Sequence, residues 1–354
     1  MELTDYRNEL DKVDDQILAL LHQRAEIVKQ VGELKSRTGD EPIYVPHREK
    51  EIITRLKARN HDRFPISALE TIYAEIISAC RSLEKTLQIA FLGPVGSFGH
   101  AASLRHFGSS AGFNPVTPQP GIFTTVESGR ADYGVVAVEN STNGTVRDIL
   151  EMFQHTSLRI CAECFLPIDH SLLSESPMGE ITKIYSHPQP FAQCREWLSQ
   201  NLRGIQQIEV ASTSEAAQLA VNEPEAAAIA SKFAGEIYQL PVVSASIMDD
   251  PNNTTRFLVI GRHAVERSGN DRTSILFAIK DRVGALWGVL GVFVTYQINM
   301  SKLESLPSCT KAWEYVFFVD LDGHVEDEHV RRALAEIRDL CVLVKILGSY
   351  PRGS

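Results

Sequence analysis

Nowhere in this chain of 354 residues does an apolar run approach the roughly 18 residues that a membrane-spanning helix needs. An excess of positive charge is missing too: 35 Lys and Arg face 45 Asp and Glu, for a formal net charge of −10. That balance argues against nucleic-acid binding, which calls for a basic surface. It leaves small anionic substrates open, because a few local cations can dominate a cleft. The opening MELTDYRNELDK is charged from its second residue and has no apolar h-region, so it reads without a secretory signal and the cytoplasm is the expected location. Cysteine is sparse, at positions 80, 161, 164, 194, 309 and 341. Cys161 and Cys164 form a CxxC inside the strand-like LRICAECFL, where residues three apart point to opposite faces, and no second CxxC or nearby CxxH completes a metal site. They read as ordinary thiols of a reduced compartment. Neither GxGxxG nor Gly-Lys-Ser/Thr occurs, so nucleotide binding is not expected. No cofactor and no metal is expected.

What is there is a globular composition, 44% hydrophobic and 23% charged, in a chain long enough for two or three domains. Residues 1–86 have helical periodicity throughout. Asp5 or Thr4 can cap a helix whose apolar stripe runs to about Leu34, Pro46 opens a second through Leu56, and Ser67 can cap a third to about Lys85. TGDEP (38–42) and HDRFP (61–65) are the breaks. From Leu87, β-rich runs such as QIAFLG, DYGVVAVEN and TRFLVIG alternate with helical stretches, which predicts an α/β domain over 87–262. A polar linker, GRHAVERSGNDR (261–272), leads into a βαββαβ order over 272–350 that fits a ferredoxin-like α+β domain.

Written as heptads, the first helix places Leu3, Leu10, Ile17, Arg24 and Val31 at one seam position and Arg7, Asp14, Leu21, Val28 and Lys35 at the other. Three cations therefore lie on the stripe that should be buried. Long cationic side chains can snorkel from a seam edge. An unpaired buried cation costs several kcal/mol, so for three of them a bound polyanion is the better account. Arg24 and Lys35 stand ~16 Å apart along the rod and can share one ligand, whereas Arg7 and Arg24 stand ~25 Å apart and can share one only if two helices pack antiparallel. With Arg48–Glu49 in YVPHREKEI and with Cys80 and Glu84 in IISACRSLEK, the segment 3–86 resembles the all-helical chorismate mutases. The resemblance implies an entwined dimer in which arginines hold the two carboxylates of chorismate, Lys35 and Glu84 donate to its ether oxygen, and Glu49 accepts from its hydroxyl. Arg7, Arg24, Arg48 and Cys80 complete the expected site. Glu84 stands where many relatives carry Gln and donates only when protonated; Val45 and Cys80 stand where some carry Asp and Ser.

In the α/β region, QIAFLG runs into PVGSFGHAASLRHF, a strand, Gly-rich turn and helix start of the kind that can bind an anion. A strand ends at Glu139–Asn140–Ser141; Ser186, His187 and Gln189 sit between a strand and a helix; and Thr254–Thr255–Arg256 leads into apolar FLVIG. With STSEAA (212–217) and AAAIASKFAGEIYQL, these words closely resemble prephenate dehydratase over 87–262. The resemblance implies two α/β lobes with the site in the cleft, the chain crossing between lobes twice. It assigns Thr255 to the leaving C4 hydroxyl and Arg256 to a carboxylate. Ser97, Asn140, Ser141, Ser186, Gln189, Ser212 and Thr213 are expected to line the cleft, with the departing carboxylate near Phe257. Ser97 replaces a usual Thr, Ala137 a usual Pro, and Pro190 is an addition.

DRVGALWGVLGVF followed by LESLPS resembles the ligand-sensing ACT domain, over 272–350. There the resemblance implies phenylalanine binding across a dimer interface by Gly284, Ala285, Leu286, Glu304 and Ser305. Leu306 stands where relatives place Arg, which implies weaker binding or a domain that only dimerises. The expected protein is thus a multi-domain homo-oligomer, at least a dimer: an all-α mutase module, a two-lobed α/β dehydratase and a ferredoxin-like ACT domain. It would take chorismate and prephenate as substrates and phenylalanine as effector, with no nucleic acid and no membrane as partner. Two other readings are a dehydratase whose helical module only dimerises, and a non-catalytic amino-acid sensor. Retention of Arg7, Arg24, Lys35, Arg48 and Glu49 argues against the first, and of Thr255–Arg256 against the second.

Overall fold

The computed structural model describes residues 2–38, 42–280, 282–307 and 315–353. Part of the TGDEP break, Cys309 and the start of the strand expected from Trp313 lie outside them. The chain divides into two compact units, residues 1–87 with 106–112, and residues 88–105 with 113–354.

The first unit holds helices α1 (Leu3–Thr38), α2 (Pro46–Asn60) and α3 (Ile66–Ser82). Pro46 opens α2, where its missing N–H costs nothing, and His61 and Asp62 leave it with positive φ, making the expected break. The third helix starts two residues earlier than expected, after Pro65 and with no side-chain cap, so Ser67 lies inside it. Asp5 likewise lies inside α1, where its carboxylate accepts from the Glu2 N–H. Gly32 lets Glu84 pack against α1: a Cβ there would stand 3.0 Å from Glu84 Cγ. Among the described residues the apolar side chains of α1 find little cover, with Leu3, Leu10, Ile17, Leu20 and Leu34 each at least half exposed.

The second unit carries three sheets. In the first lobe, β1 (Gln88–Leu92), β2 (Gly112–Val116), β3 (Tyr133–Asn140), β4 (Gly144–Thr145) and β5 (Arg159–Pro167) are interleaved with α4 (Phe98–Phe107), α5 (Gly121–Glu127) and α6 (Arg147–Met152). The second lobe comprises β6 (Ser171–Leu173), β7 (Lys183–Ser186), β8 (Gln206–Glu209), β9 (Ala226–Ala230) and β10 (Val242–Ser244), with α7 (Pro188–Gln193), α8 (Arg195–Asn201), α9 (Thr213–Ala220) and α10 (Lys232–Tyr238). The chain then returns to the first sheet as β11 (Thr254–Gly261), which lies between β3 and β5 in the order β2-β1-β3-β11-β5. The second sheet runs β10-β6-β9-β7-β8. The two crossings are bonded to each other by Ile168 N–H to Asn253 O and Ile247 N–H to His170 O, both 2.8 Å.

The C-terminal part has β12 (Asp271–Ile279), α11 (Ala285–Thr295), β13 (Met300–Pro307), β14 (Tyr315–Asp322), α12 (Glu328–Leu340) and β15 (Cys341–Pro351). Its antiparallel sheet, ordered β13-β14-β12-β15, has the ferredoxin-like arrangement. One face of that sheet shares a core with the first lobe, where Leu306, Phe318, Leu347 and Tyr350 join Ile160, Leu258 and Ile260, all buried. Gly348 makes the approach possible, since a Cβ there would fall 2.2 Å from Ile160 O.

Candidate active sites

In the helical unit, Lys35 near the end of α1 places its Nζ 3.6 Å from Glu84 Oε2, just past α3, and donates to Pro42 O at 3.3 Å. That Glu84 oxygen is buried and has no hydrogen-bond partner among the described residues. Glu49, in the first turn of α2, accepts from Arg81 Nη1 at 2.6 Å. Burial raises the Glu49 pKa, against the opposing charges of Arg81 and, more weakly, Arg24. Arg24 is half-buried, with Nη1 3.5 Å from Ile76 O, and Cys80 is buried. Lys35 with Glu84, and Arg24 with Glu49, are thus brought together. Arg7 is exposed, and Arg48 turns to solvent and to Glu51 (2.5 Å). Sequence reasoning missed Arg81. Its guanidinium lies over the rings of Tyr44 and Phe107 at 5.5 and 5.6 Å and donates to Phe107 O, so its partners come from two distant segments, 44–49 and 107, that no local pattern reveals.

The cleft between the lobes of the second unit has a volume of about 430 Å³ and is lined from both sides. Ser97, Asn140, Gln189, Ser212, Thr213, Thr255 and Phe257 all face it. At its floor Asn140 Nδ2 donates to Thr255 Oγ1 (2.9 Å) and to Asn253 Oδ1 (2.7 Å). The amide cannot flip, because Asn140 Oδ1 accepts from Thr142 N–H (3.1 Å) and Asn143 N–H (3.0 Å). Thr255 Oγ1 therefore receives a bond and keeps its own proton to donate into the cleft.

Three expected members lie elsewhere. Ser141 bonds the Thr254 N–H and Asn252 O. Ser186 is fully buried and donates to Ile229 O, tying β7 to β9. Arg256 requires the larger correction. Thr255 and Phe257 line the cleft, and strand alternation sends Arg256 to the opposite face. There, 6% exposed, it bonds Glu163 through Nε and Nη2 (both 2.8 Å), Asp320 through Nη1 (2.5 Å) and Tyr350 through Nη2 (3.1 Å). Arg272 Nη1 joins Glu163 at 2.5 Å, closing a buried quartet of two cations and two carboxylates. Sequence reasoning missed the cleft-lining His170 and Gln193, which are paired at 3.0 Å.

In the C-terminal part, Gly284 adopts a left-handed φ of 78° just before α11, with Ala285 and Leu286 half-buried. Ser305 is exposed, whereas Glu304 accepts from Thr145 Oγ1 (3.1 Å) on β4, which lines the cleft. Leu306, where the resemblance leads one to expect an Arg, is fully buried in the core shared with the first lobe. Cys161 and Cys164 are unbridged thiols whose pKa values burial pushes up to about 12.

The family pattern of prephenate dehydratase matches residues 89–265, that of chorismate mutase type II residues 6–85, and that of the ACT domain residues 273–339. The bifunctional chorismate mutase/prephenate dehydratase of Aquifex aeolicus is 46% identical over 99% of this chain and 98% of its own length. The chain belongs to that bifunctional family. Its two enzymatic modules are a chorismate mutase and a prephenate dehydratase, and an ACT domain follows them. Among solved structures, prephenate dehydratase from Arthrobacter aurescens in complex with L-Phe is 32% identical, with a TM-score of 0.70 over 75% of this chain and 90% of that one. A protein described as a novel type of quorum quenching acylase reaches 0.69 at 29% identity, over 75% of this chain and 98% of its own. No described helix is long and apolar enough to cross a membrane.

Proposed function

We propose that the helical unit rearranges chorismate to prephenate at sites shared between two copies of the chain, and that the cleft converts prephenate to phenylpyruvate. The rearrangement is pericyclic and needs no nucleophile. The protein must hold a dicarboxylate in a compact chair and meet the negative charge growing on the ether oxygen. Lys35 and Glu84 meet that oxygen, Arg24, Arg48 and the second copy's equivalent of Arg7 hold the carboxylates, and Glu49 takes the hydroxyl, braced by Arg81. The uncovered stripe of α1 supports the pairing of two chains.

The dehydratase reading rests on one observation: the Thr255 hydroxyl, its oxygen fixed by Asn140, has its proton free at the cleft floor. Prephenate loses its ring carboxylate as CO₂; the C–C bonding pair moves into the ring and the C4 hydroxyl leaves with its own bonding pair, taking up a proton from solvent as water. Aromatisation drives the step, so the enzyme chiefly assists a poor leaving group, and a hydrogen bond from Thr255 to the departing oxygen does so. Phenylalanine as effector would meet the Gly284–Leu286 turn and, from a second copy, Ser305 and Glu304. Purified protein given chorismate should release phenylpyruvate, with prephenate as a transient. Consumption of prephenate without phenylpyruvate, or no consumption, would remove the dehydratase reading.

A further inference from the structure

We propose that the two carboxylates of prephenate are held by the N-termini of α4 and α9, one from each lobe, in place of cationic side chains. The inference rests on the cleft being the dehydratase site. Among the described residues, none that lines the cleft is lysine or arginine, since Arg256 belongs to the opposite face. Yet a dicarboxylate must lose its hydration there. Ser97, Phe98 and Gly99 bring the start of α4 into the lining, and Ala211, Ser212 and Thr213 bring the start of α9.

At α9, Ser212 Oγ accepts from Glu215 N–H (3.0 Å) and Glu215 accepts from Ala211 N–H (2.9 Å). This capping pair leaves the N–H groups of Thr213 and Ser214 without an acceptor among the described residues. At α4, Ser97 Oγ donates to Leu92 O (2.7 Å) and accepts from His100 N–H (3.3 Å), and among the described residues the N–H groups of Phe98 and Gly99 have no acceptor. Unsatisfied first-turn donors and the positive helix end together attract a carboxylate.

Two buried side chains beside these helix starts carry unbonded polar atoms, and one of them, His170, faces the cleft. Ser214, in the first turn of α9, is fully buried, its Oγ has no partner among the described residues, and a Cβ on Gly96, just ahead of α4, would stand 3.6 Å from it. His170 is 2% exposed, lines the cleft, packs edge-on against Phe98 (5.5 Å) and among the described residues has no partner for Nδ1. Burial lowers its pKa, so it adds no positive charge.

Neutral donors suit the chemistry. The ring carboxylate has to leave as CO₂, and a full ion pair would hold its charge back. Leu92, Val135, Ala137 and Phe257 line the cleft on the α4 side, so we assign the ring carboxylate to α4. Ser212, Thr213 and Gln189 make the α9 side polar, and the retained side-chain carboxylate belongs there.

Thr213 is the first residue of α9, and proline is accepted at that position while lacking the N–H. Ser212 before it is extended (φ −157°, ψ 159°), as a residue preceding proline should be. Thr213→Pro should raise the KM for prephenate about tenfold or more over Thr213→Ala, with kcat changed far less. Thr213→Asp, whose charge favours the helix start, should raise KM similarly while keeping the fold. Inhibition by phenylpyruvate, which keeps only the side-chain carboxylate, should weaken in parallel. Chorismate mutase activity should stay at the wild-type level in every variant. Equal KM values for the proline, aspartate and alanine variants would overturn the proposal. A raised KM with unchanged phenylpyruvate inhibition would overturn the assignment of the two ends. Absence of dehydratase activity in the wild type would instead remove the reading beneath it.

Discussion

Arg256 on β11 and Asp320 on β14 form a buried ion pair at 2.5 Å, so the residue next to the cleft's hydroxyl donor is anchored in the ACT sheet. With Glu163 and Arg272 the charges balance, two against two. Asp320→Asn leaves the quartet with an uncompensated cation and should cost about 3–5 kcal/mol. Adding Arg256→Met to that variant should recover part of the loss, because the stranded charge is then removed. Urea unfolding followed by fluorescence measures both. Additive losses would mean that the two residues are not coupled.

Leu306→Arg tests the buried place of Leu306. The side chain is fully buried against Val316 and Phe318, and a guanidinium there would lack a partner. We expect a lower melting temperature and no gain in phenylalanine affinity by calorimetry. Tighter binding with unchanged stability would restore a ligand-facing position.

The contrast between Leu306, Arg256 and Thr255 marks what could be read from sequence. Element order and the βαββαβ close are legible because periodicity changes where the architecture does, whereas the two lobes are implied only by the resemblance to prephenate dehydratase. Thr255, Phe257 and Asn140 are legible because they end or begin strands at a lobe's ligand edge. Arg256 is misread although the period-2 rule already separates it from Thr255: the sequence does not reveal that another sheet covers the far face. Ser186 fails for a related reason, since a polar residue ending a strand can point inward to a backbone carbonyl. Arg81 stays hidden because Tyr44, Glu49 and Phe107 meet only in three dimensions.

The helical unit should be acid-sensitive through His106. Burial first, then the charge of Arg81, lowers its pKa from 6.5 to about 4. The unfolded chain therefore takes up a proton that the folded imidazole refuses, so this stability is present above pH 6.5 and is lost as pH falls towards about 4. His106→Gln should flatten the dependence of the melting temperature over that window. An unchanged slope would place the acid sensitivity elsewhere.

Mutase sites built from two chains make a complementation prediction. Arg7→Ala and Arg24→Ala proteins should each be nearly inactive as mutases, since the residues stand ~25 Å apart on one rod. Refolded together, they should regain partial activity because a mixed dimer rebuilds one intact site. No recovery in proven mixed dimers would contradict shared sites.

The central claim is that one chain holds two separable reactions, the second depending on the Thr255 hydroxyl. A chorismate time course with prephenate and phenylpyruvate quantified separately, for wild type and Thr255→Val, tests it most directly. We predict unchanged chorismate consumption in the variant, with phenylpyruvate formation down roughly 100- to 1,000-fold and prephenate accumulating. Phenylpyruvate formation at the wild-type rate, or an equal fall in both reactions with the fold intact, would contradict it.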